Sequence, residues 1–369
     1  MRHTLRLASL ACLLQPVVVA QSPAPIVQSV DVAMPFAPVV FKQDLQSQVV
    51  YELHITNFQR TDITLTSVRV ETADAVLGDF SDAELRQRLV RPGLRNDHAT
   101  PDVVGPGMRA VLNLWLPVRD DFAPGTLTHT IALRLGSTVT EIQKVLSVNR
   151  GQPTVIDAPL GGGHWVAIYD PLLKGGHRTA IYTIQGGARI PGRFAIDFIR
   201  MPPGGTYART PEVSDWNGRG ADVLAVADGV IVAALDGEPD EASQPVAADK
   251  ASGNYIAIDI GGGRYAFYEH LQRNSVRVKT GQRVARGDVI AKLGSSGSSS
   301  IGPHLHFHIA DANSVLGAEG MPFVFRRYTD FGGFSSIDAL MGGQPWKPGA
   351  SAYTAFDARP APNSVISFR

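Results

Sequence analysis

Cysteine is almost absent from this chain. The one present, Cys12, has no second cysteine to pair with, which excludes both a disulfide framework and a cysteine-ligated zinc site. A surplus of charge is missing too, since 34 Lys and Arg face 34 Asp and Glu. That balance creates no long-range field for a phosphate backbone, and no basic cluster is interleaved with aromatics, so nucleic acid is not expected as a partner. No apolar run reaches the ~20 residues that a bilayer demands, which argues against stable membrane insertion. Convincing helical periodicity is scarce, and no internal repeat stands out. Turn-forming residues are abundant instead, with 37 glycines and 25 prolines but no collagen-like period. With 44% hydrophobic residues in 369, the chain can bury two cores.

The N-terminus opens with the basic residues Arg2 and Arg6, followed by an apolar run from Leu7 to Ala20 in which Val18 and Ala20 are small residues placed before a cut. This order predicts a cleaved secretory signal peptide over residues 1–20 and a secreted or periplasmic protein. Cys12 falls within that segment, so the mature chain is expected to be cysteine-free.

Residues 28–150 repeat short alternating runs separated by turns. Tyr51, Leu53 and Ile55 alternate with Glu52, His54 and Thr56; Ala110, Leu112, Leu114 and Leu116 form a second run, and Ile131, Leu133 and Leu135 a third. A period of two places each apolar set on one face of a strand, and several such strands predict an immunoglobulin-like β-sandwich. One helix is expected after Ser81, because Ser81 and Glu84 have capping-box spacing and Pro92-Gly93 would end the helix. His54, His98 and His129 are isolated in sequence and read as structural.

Gly151, Pro153, Pro159 and the run Gly161–Gly163 suit a linker over 151–163. A second β domain is expected over 164–330, with a C-terminal extension over 331–369 that ends in the strand-like Ser364–Phe368. Within the domain, Ile256, Ile258 and Ile260 lead through a triple-glycine turn to Tyr265 and Phe267, and Asp228-Gly229 reads as another hairpin turn. The fold class expected is all-β throughout.

The most informative stretch is Gly302-Pro303-His304-Leu305-His306-Phe307-His308-Ile309. On a strand, the three histidines share one face while Leu305, Phe307 and Ile309 enter the core on the other. Upstream lie Tyr268-Glu269-His270-Leu271 and the series from Val278 to Asp288. This ordered set resembles the M23 family of zinc metallopeptidases, of the LytM or lysostaphin type, over about residues 165–310. The resemblance implies a small, mostly antiparallel β domain with a groove along one face. It also implies Zn2+ as cofactor, Asp197 and His306 as metal ligands, and His270 and His304 as catalytic histidines. Ser295–Ser300, with their small side chains, are expected to keep the groove wall open.

The family's first zinc ligand is a histidine four residues before the aspartate, where this chain has Arg193. A guanidinium stays protonated and cannot ligate zinc. Two arrangements remain open. Either Arg193 pairs with Asp197 and replaces the metal's charge, or a histidine from elsewhere completes the site. His177, expected at the start of a strand, is the first choice, with His308 and His164 next. The function implied is zinc-dependent endopeptidase action on peptidoglycan cross-links or related short peptides. The alternative is a catalytically inactive M23-like module that binds wall peptide or activates a partner hydrolase in the cell envelope.

Overall fold

The computed structural model describes residues 30–368 apart from 95–98, 123–124, 149–150, 174, 203–204, 206–216, 241–246, 248–249 and 299–301. The expected signal peptide, its cleavage point and His98 therefore lie outside the described residues. The fold is all-β as expected, with two short α-helices, Asp82–Arg88 and Ile337–Met341, among the described residues.

The N-terminal unit consists of two five-stranded sheets. One is centred on Gln46–Asn57 paired with Arg109–Val118, the other on Ile63–Glu71 paired with Thr126–Leu135. Tyr51, Leu53 and Ile55 meet Leu65, Val68, Ile131 and Leu133 from the other sheet in one buried cluster. The helix starts at Asp82 as expected, yet the Ser81 side chain makes no capping hydrogen bond. Leu85, almost completely buried, anchors it instead.

Sequence alternation predicts one solvated face for the strand Gln46–Asn57, but both faces are buried. The C-terminal unit covers the polar side. Val39, Phe41 and Val50 from the N-terminal unit belong to the same buried cluster as Phe194, Phe198 and Phe325, and Phe41 meets Phe194 edge-on at 6.0 Å. Glu52 is fully buried at this junction. Burial opposes its charge, but the neighbouring Arg193, Arg178 and His54 outweigh that penalty and hold its carboxyl below the usual range.

The C-terminal unit is built on a twelve-stranded sheet. Its centre runs, in spatial order, Trp165–Ile168, Ile196–Arg200, Leu305–Ala310, Tyr265–Leu271, Asn254–Asp259 and Gly229–Leu235, all antiparallel. The hairpin through the triple-glycine turn forms as expected, pairing Asp259 with Tyr265. The Asp228-Gly229 turn does not close a hairpin. Asp222–Leu224 before it pairs with Val289–Lys292 in a separate small sheet, while Gly229–Leu235 joins the large one.

Two segments outside the expected β domain are integral to this sheet. Within 151–163, Thr154–Ile156 pairs in parallel with Phe323–Gly333, the only parallel strand pair among the described residues, and Leu160 bridges Val223. Ser364–Ser367, near the chain end, lies between Trp165–Ile168 and Phe323–Gly333 and bonds to both. Apolar side chains of both segments explain this, since Ile156 and Ile366 are almost completely buried in the main cluster. Among the described residues, no helix is long and apolar enough to cross a membrane.

Candidate metal centre and catalytic cleft

The strand Leu305–Ala310 separates its two residue sets as the alternation predicts. Leu305, Phe307 and Ile309 are fully buried in the core, and His306 and His308 face the opposite side. Sheet register then sets the neighbours of His306. Asp197 stands directly across on one adjacent strand and Glu269 directly across on the other, so one cross-strand row reads Asp197, His306, Glu269. Directly opposed side chains lie within contact reach. His306 Nδ1 is accordingly 2.9 Å from Asp197 Oδ1.

His177 joins this row from outside the sheet. It begins a single turn of 3-10 helix, His177–Thr179, and not the strand that the sequence suggested. A second such turn, Pro191–Phe194, packs beside it. Gly192 permits the approach: a Cβ at that position would sit 2.8 Å from the His177 Cβ, closer than two carbons can pack. His177 Nε2 reaches Asp197 Oδ2 at 2.8 Å, and the His177 and His306 rings meet edge-on at 4.4 Å.

Arg193 does not pair with Asp197 in the manner of the charge-replacement arrangement. Its Nε donates to Glu52 Oε1 at 2.9 Å and its Nη1 to Glu319 Oε2 at 2.6 Å. His164 also stands apart, with its ring edge-on against Phe331. His308 lies one pleat beyond His306, stacked flat on Phe267 at 4.8 Å. Its Nδ1 is 3.2 Å from His306 Nε2.

The remaining two histidines flank the row. His270 comes directly after the last residue to pair across, Glu269, and takes the left-handed φ of 62°, a conformation that costs a non-glycine residue free energy and is characteristic of functional sites. Its Nδ1 is 2.8 Å from the Ser296 carbonyl, which can only accept, so Nδ1 carries the proton and Nε2 presents a lone pair. His304 repeats the pattern: Nδ1 is 2.8 Å from the Gly302 carbonyl and Nε2 is 3.8 Å from Asp197 Oδ1. The two rings are 4.6 Å apart. Of the expected groove wall Ser295–Ser300, Ser298 is exposed and lines the cleft, Ser299 and Ser300 lie outside the described residues, and Ser295 and Ser296 are fully buried. Ser296 Oγ donates to the Leu271 carbonyl and accepts from the Asn254 amide, so Ser296 holds the backbone that orients His270.

Electrostatics divides these groups. Burial, reinforced by His304 and His306, pushes His270 well below the ordinary imidazole range, and burial likewise lowers His304. His308 is driven well down by burial and then by His306. His306 moves upward, because Glu269 and Asp197 overcome its burial. Burial opposes the Asp197 charge as well, but His177 and His304, with hydrogen bonds from His177 and His306, hold it well below the usual carboxylate range. A buried carboxylate kept ionised calls for a cation.

Donor atoms from His177, Asp197 and His306 all lie within 4.8 Å of one another. Two imidazoles and a carboxylate form a set that suits zinc with a fourth position left open. His177, with a side chain 39% exposed, gives this set access to solvent. A second donor group, Glu269, His306 and His308, shares His306. Against this row lies a cleft of about 200 Å³, lined by His177, Tyr182, Glu269, His270, His306 and His308 among others.

Sequence reasoning missed Glu269 as a member of the site. The available signal was its place beside His270 in the motif Tyr268-Glu269-His270-Leu271. It also missed Glu52 and Glu319, for which sequence offers no signal, since the pairing with Arg193 is purely tertiary.

Residues 214–316 match the family model for Peptidase family M23, a span that includes His270, His304 and His306 and begins beyond His177 and Asp197. Over 89 residues the chain is 39% identical to peptidoglycan DD-endopeptidase ShyC of Vibrio cholerae, covering 24% of this chain and 19% of that protein. Over 175 residues it is 30% identical to peptidoglycan DD-endopeptidase ShyA of the same organism, covering 46% of this chain and 35% of that protein. The chain thus spans only a minor part of the length of these curated relatives. The catalytic domain of lysostaphin from Staphylococcus simulans is 26% identical, with 38% of this chain and 80% of that structure covered and a TM-score of 0.24. The match over 214–316 and the histidine motifs within it thus make this part of the chain similar to peptidase family M23.

Proposed function

We propose that this chain is a zinc-dependent endopeptidase that cleaves peptide cross-links of peptidoglycan, acting outside the cytoplasm. The observation that carries the reading is the convergence of His177 and His306 on the ionised Asp197, with His270 and His304 beside them. His177, Asp197 and His306 would hold the metal, and His177 would take the place of the ligand lost at Arg193. A zinc ion with an open position supplies Lewis acidity toward a carbonyl and toward water.

The protein's own groups perform the proton chemistry. Neutral His270 and His304 each offer an Nε2 lone pair, fixed in that tautomer by the Ser296 and Gly302 carbonyls. Either can take a proton from attacking water, and the protonated ring can then donate to the oxyanion or the leaving amine. His308 Nδ1 lies against His306 Nε2 and fixes the ring of that ligand. The named activity of ShyC and ShyA supports peptidoglycan as the substrate class.

Metal content tests the reading. Purified protein is expected to carry one zinc, and His177→Ala and His306→Ala should each lose both the metal and the cleavage of isolated peptidoglycan. A wild-type protein that binds peptidoglycan without zinc and without cleaving it would establish the binding-module alternative instead.

A further inference from the structure

His177 is the one proposed ligand that no sheet holds in place. Asp197 and His306 sit on paired central strands, whereas His177 rests on a lone 3-10 turn. Something else must fix it. The next residue, Arg178, is largely buried, with Nη2 donating to the Tyr51 carbonyl at 2.6 Å and lying 3.5 Å from Glu52 Oε2. The neighbouring turn, Pro191–Phe194, is tied to the same carboxylate through Arg193 Nε at 2.9 Å. Both guanidinium groups lie over aromatic rings of the N-terminal unit, Arg178 at 5.3 Å from Trp115 and Arg193 at 4.6 Å from Phe36.

We infer that Glu52, a residue of the N-terminal sandwich, is a positioning residue for the metal ligand His177, so that the metal site is complete only while the two units are docked. This rests on the metal reading above and extends it to the other domain. Glu52 gathers the two turns around a single buried carboxylate, and the 2.8 Å clearance at Gly192 shows how closely His177 depends on where the second turn sits. The arginine at the family's usual ligand position thus has a role: it fastens the segment that packs against the substitute ligand. Second-sphere partners of this kind typically alter metal affinity by about 10-fold to 100-fold when removed.

The test is zinc affinity measured by competition with a chromophoric chelator, on the full chain. Glu52→Gln keeps the shape and removes the charge, and it is expected to weaken zinc binding about 10-fold to 100-fold. The visible spectrum of the Co2+-substituted variant should show altered coordination. Arg178→Gln, which leaves the Arg193–Glu52 pair in place, is expected to act in the same direction and serves if Glu52→Gln does not fold. Leu133→Ala, in the sandwich core on the sheet that does not carry Glu52, should lower stability while leaving zinc affinity and the Co2+ spectrum unchanged. Unaltered zinc affinity in both Glu52→Gln and Arg178→Gln, or an equal loss in Leu133→Ala, would overturn the positioning role alone. A wild-type protein that takes up no zinc would overturn the metal reading itself.

Discussion

The strand Gln46–Asn57 in the N-terminal unit and the strand Leu305–Ala310 in the C-terminal sheet both bury an apolar row on one side and ionisable groups on the other. In the first, Glu52 meets arginines from the partner unit and is satisfied as an ion pair. In the second, His306 meets Asp197 and Glu269 on adjacent strands, beside a cleft. The same strand pattern therefore yields a joint in one place and a candidate metal centre in the other. What decides is the cover. A full protein surface closes over Glu52, while the histidine row keeps an opening to solvent through His177.

Substitutions can break this contrast if it is wrong. The largest effect is expected at the C-terminal row, where His270→Ala should lower kcat on peptidoglycan by about 10²-fold to 10⁴-fold, the range of a lost acid or base, with zinc content retained. Activity surviving His270→Ala would remove that residue from the chemistry. At the joint, Glu52→Ala leaves Arg178 and Arg193 buried without their shared partner, and chemical denaturation should show a loss of about 3 to 5 kcal/mol. A loss under about 1 kcal/mol would mean that the pair is solvated like a surface bridge.

The smallest effect concerns the N-terminal histidines. His129 is fully buried, with Nε2 2.6 Å from the Tyr51 hydroxyl and Nδ1 3.1 Å from the Lys144 carbonyl. The hydroxyl donates to one nitrogen and the other donates to the carbonyl, so the neutral ring is satisfied. Burial holds its pKa below the ordinary value of 6.5. Because the unfolded chain then binds a proton more readily than the folded one, this contribution is full above pH 6.5 and declines as the pH falls through 6.5 toward the folded value, by at most about 1.4 kcal/mol per pH unit. Denaturation midpoints across pH 7 to 5, in wild type and His129→Gln, should show a shallower acid slope in the variant. Identical slopes would place the acid sensitivity elsewhere.

Much of this arrangement can be read from alternation. The strands holding Tyr51, Leu112, Ile131 and Phe307, the common face of His306 and His308, and the pairing of Asp259 with Tyr265 all derive from a period of two. Three features do not. The buried fate of Glu52 depends on a second unit that no local pattern describes. The partners of Arg193 come from residues 52 and 319, far away in sequence. The strand-like Ser364–Phe368 is legible, but its place in the large sheet, like that of Thr154–Ile156 within the turn-rich 151–163, depends on partners far away in sequence.

The placement of Ser364–Ser367 between Trp165–Ile168 and Phe323–Gly333 bears on how the protein reaches this state. Val365 and Ile366 find their partners Val166 and Trp165 roughly 200 residues earlier in the chain, so this part of the sheet closes only after a very large loop has been brought together. Contacts so distant in sequence favour slow folding. Until the last strand is seated, Trp165–Ile168 and Phe323–Gly333 each present an unpaired edge, which invites a strand from another copy of the chain. Refolding at high protein concentration should therefore favour exchanged dimers or aggregates, and dilution should restore the yield of correctly closed chains.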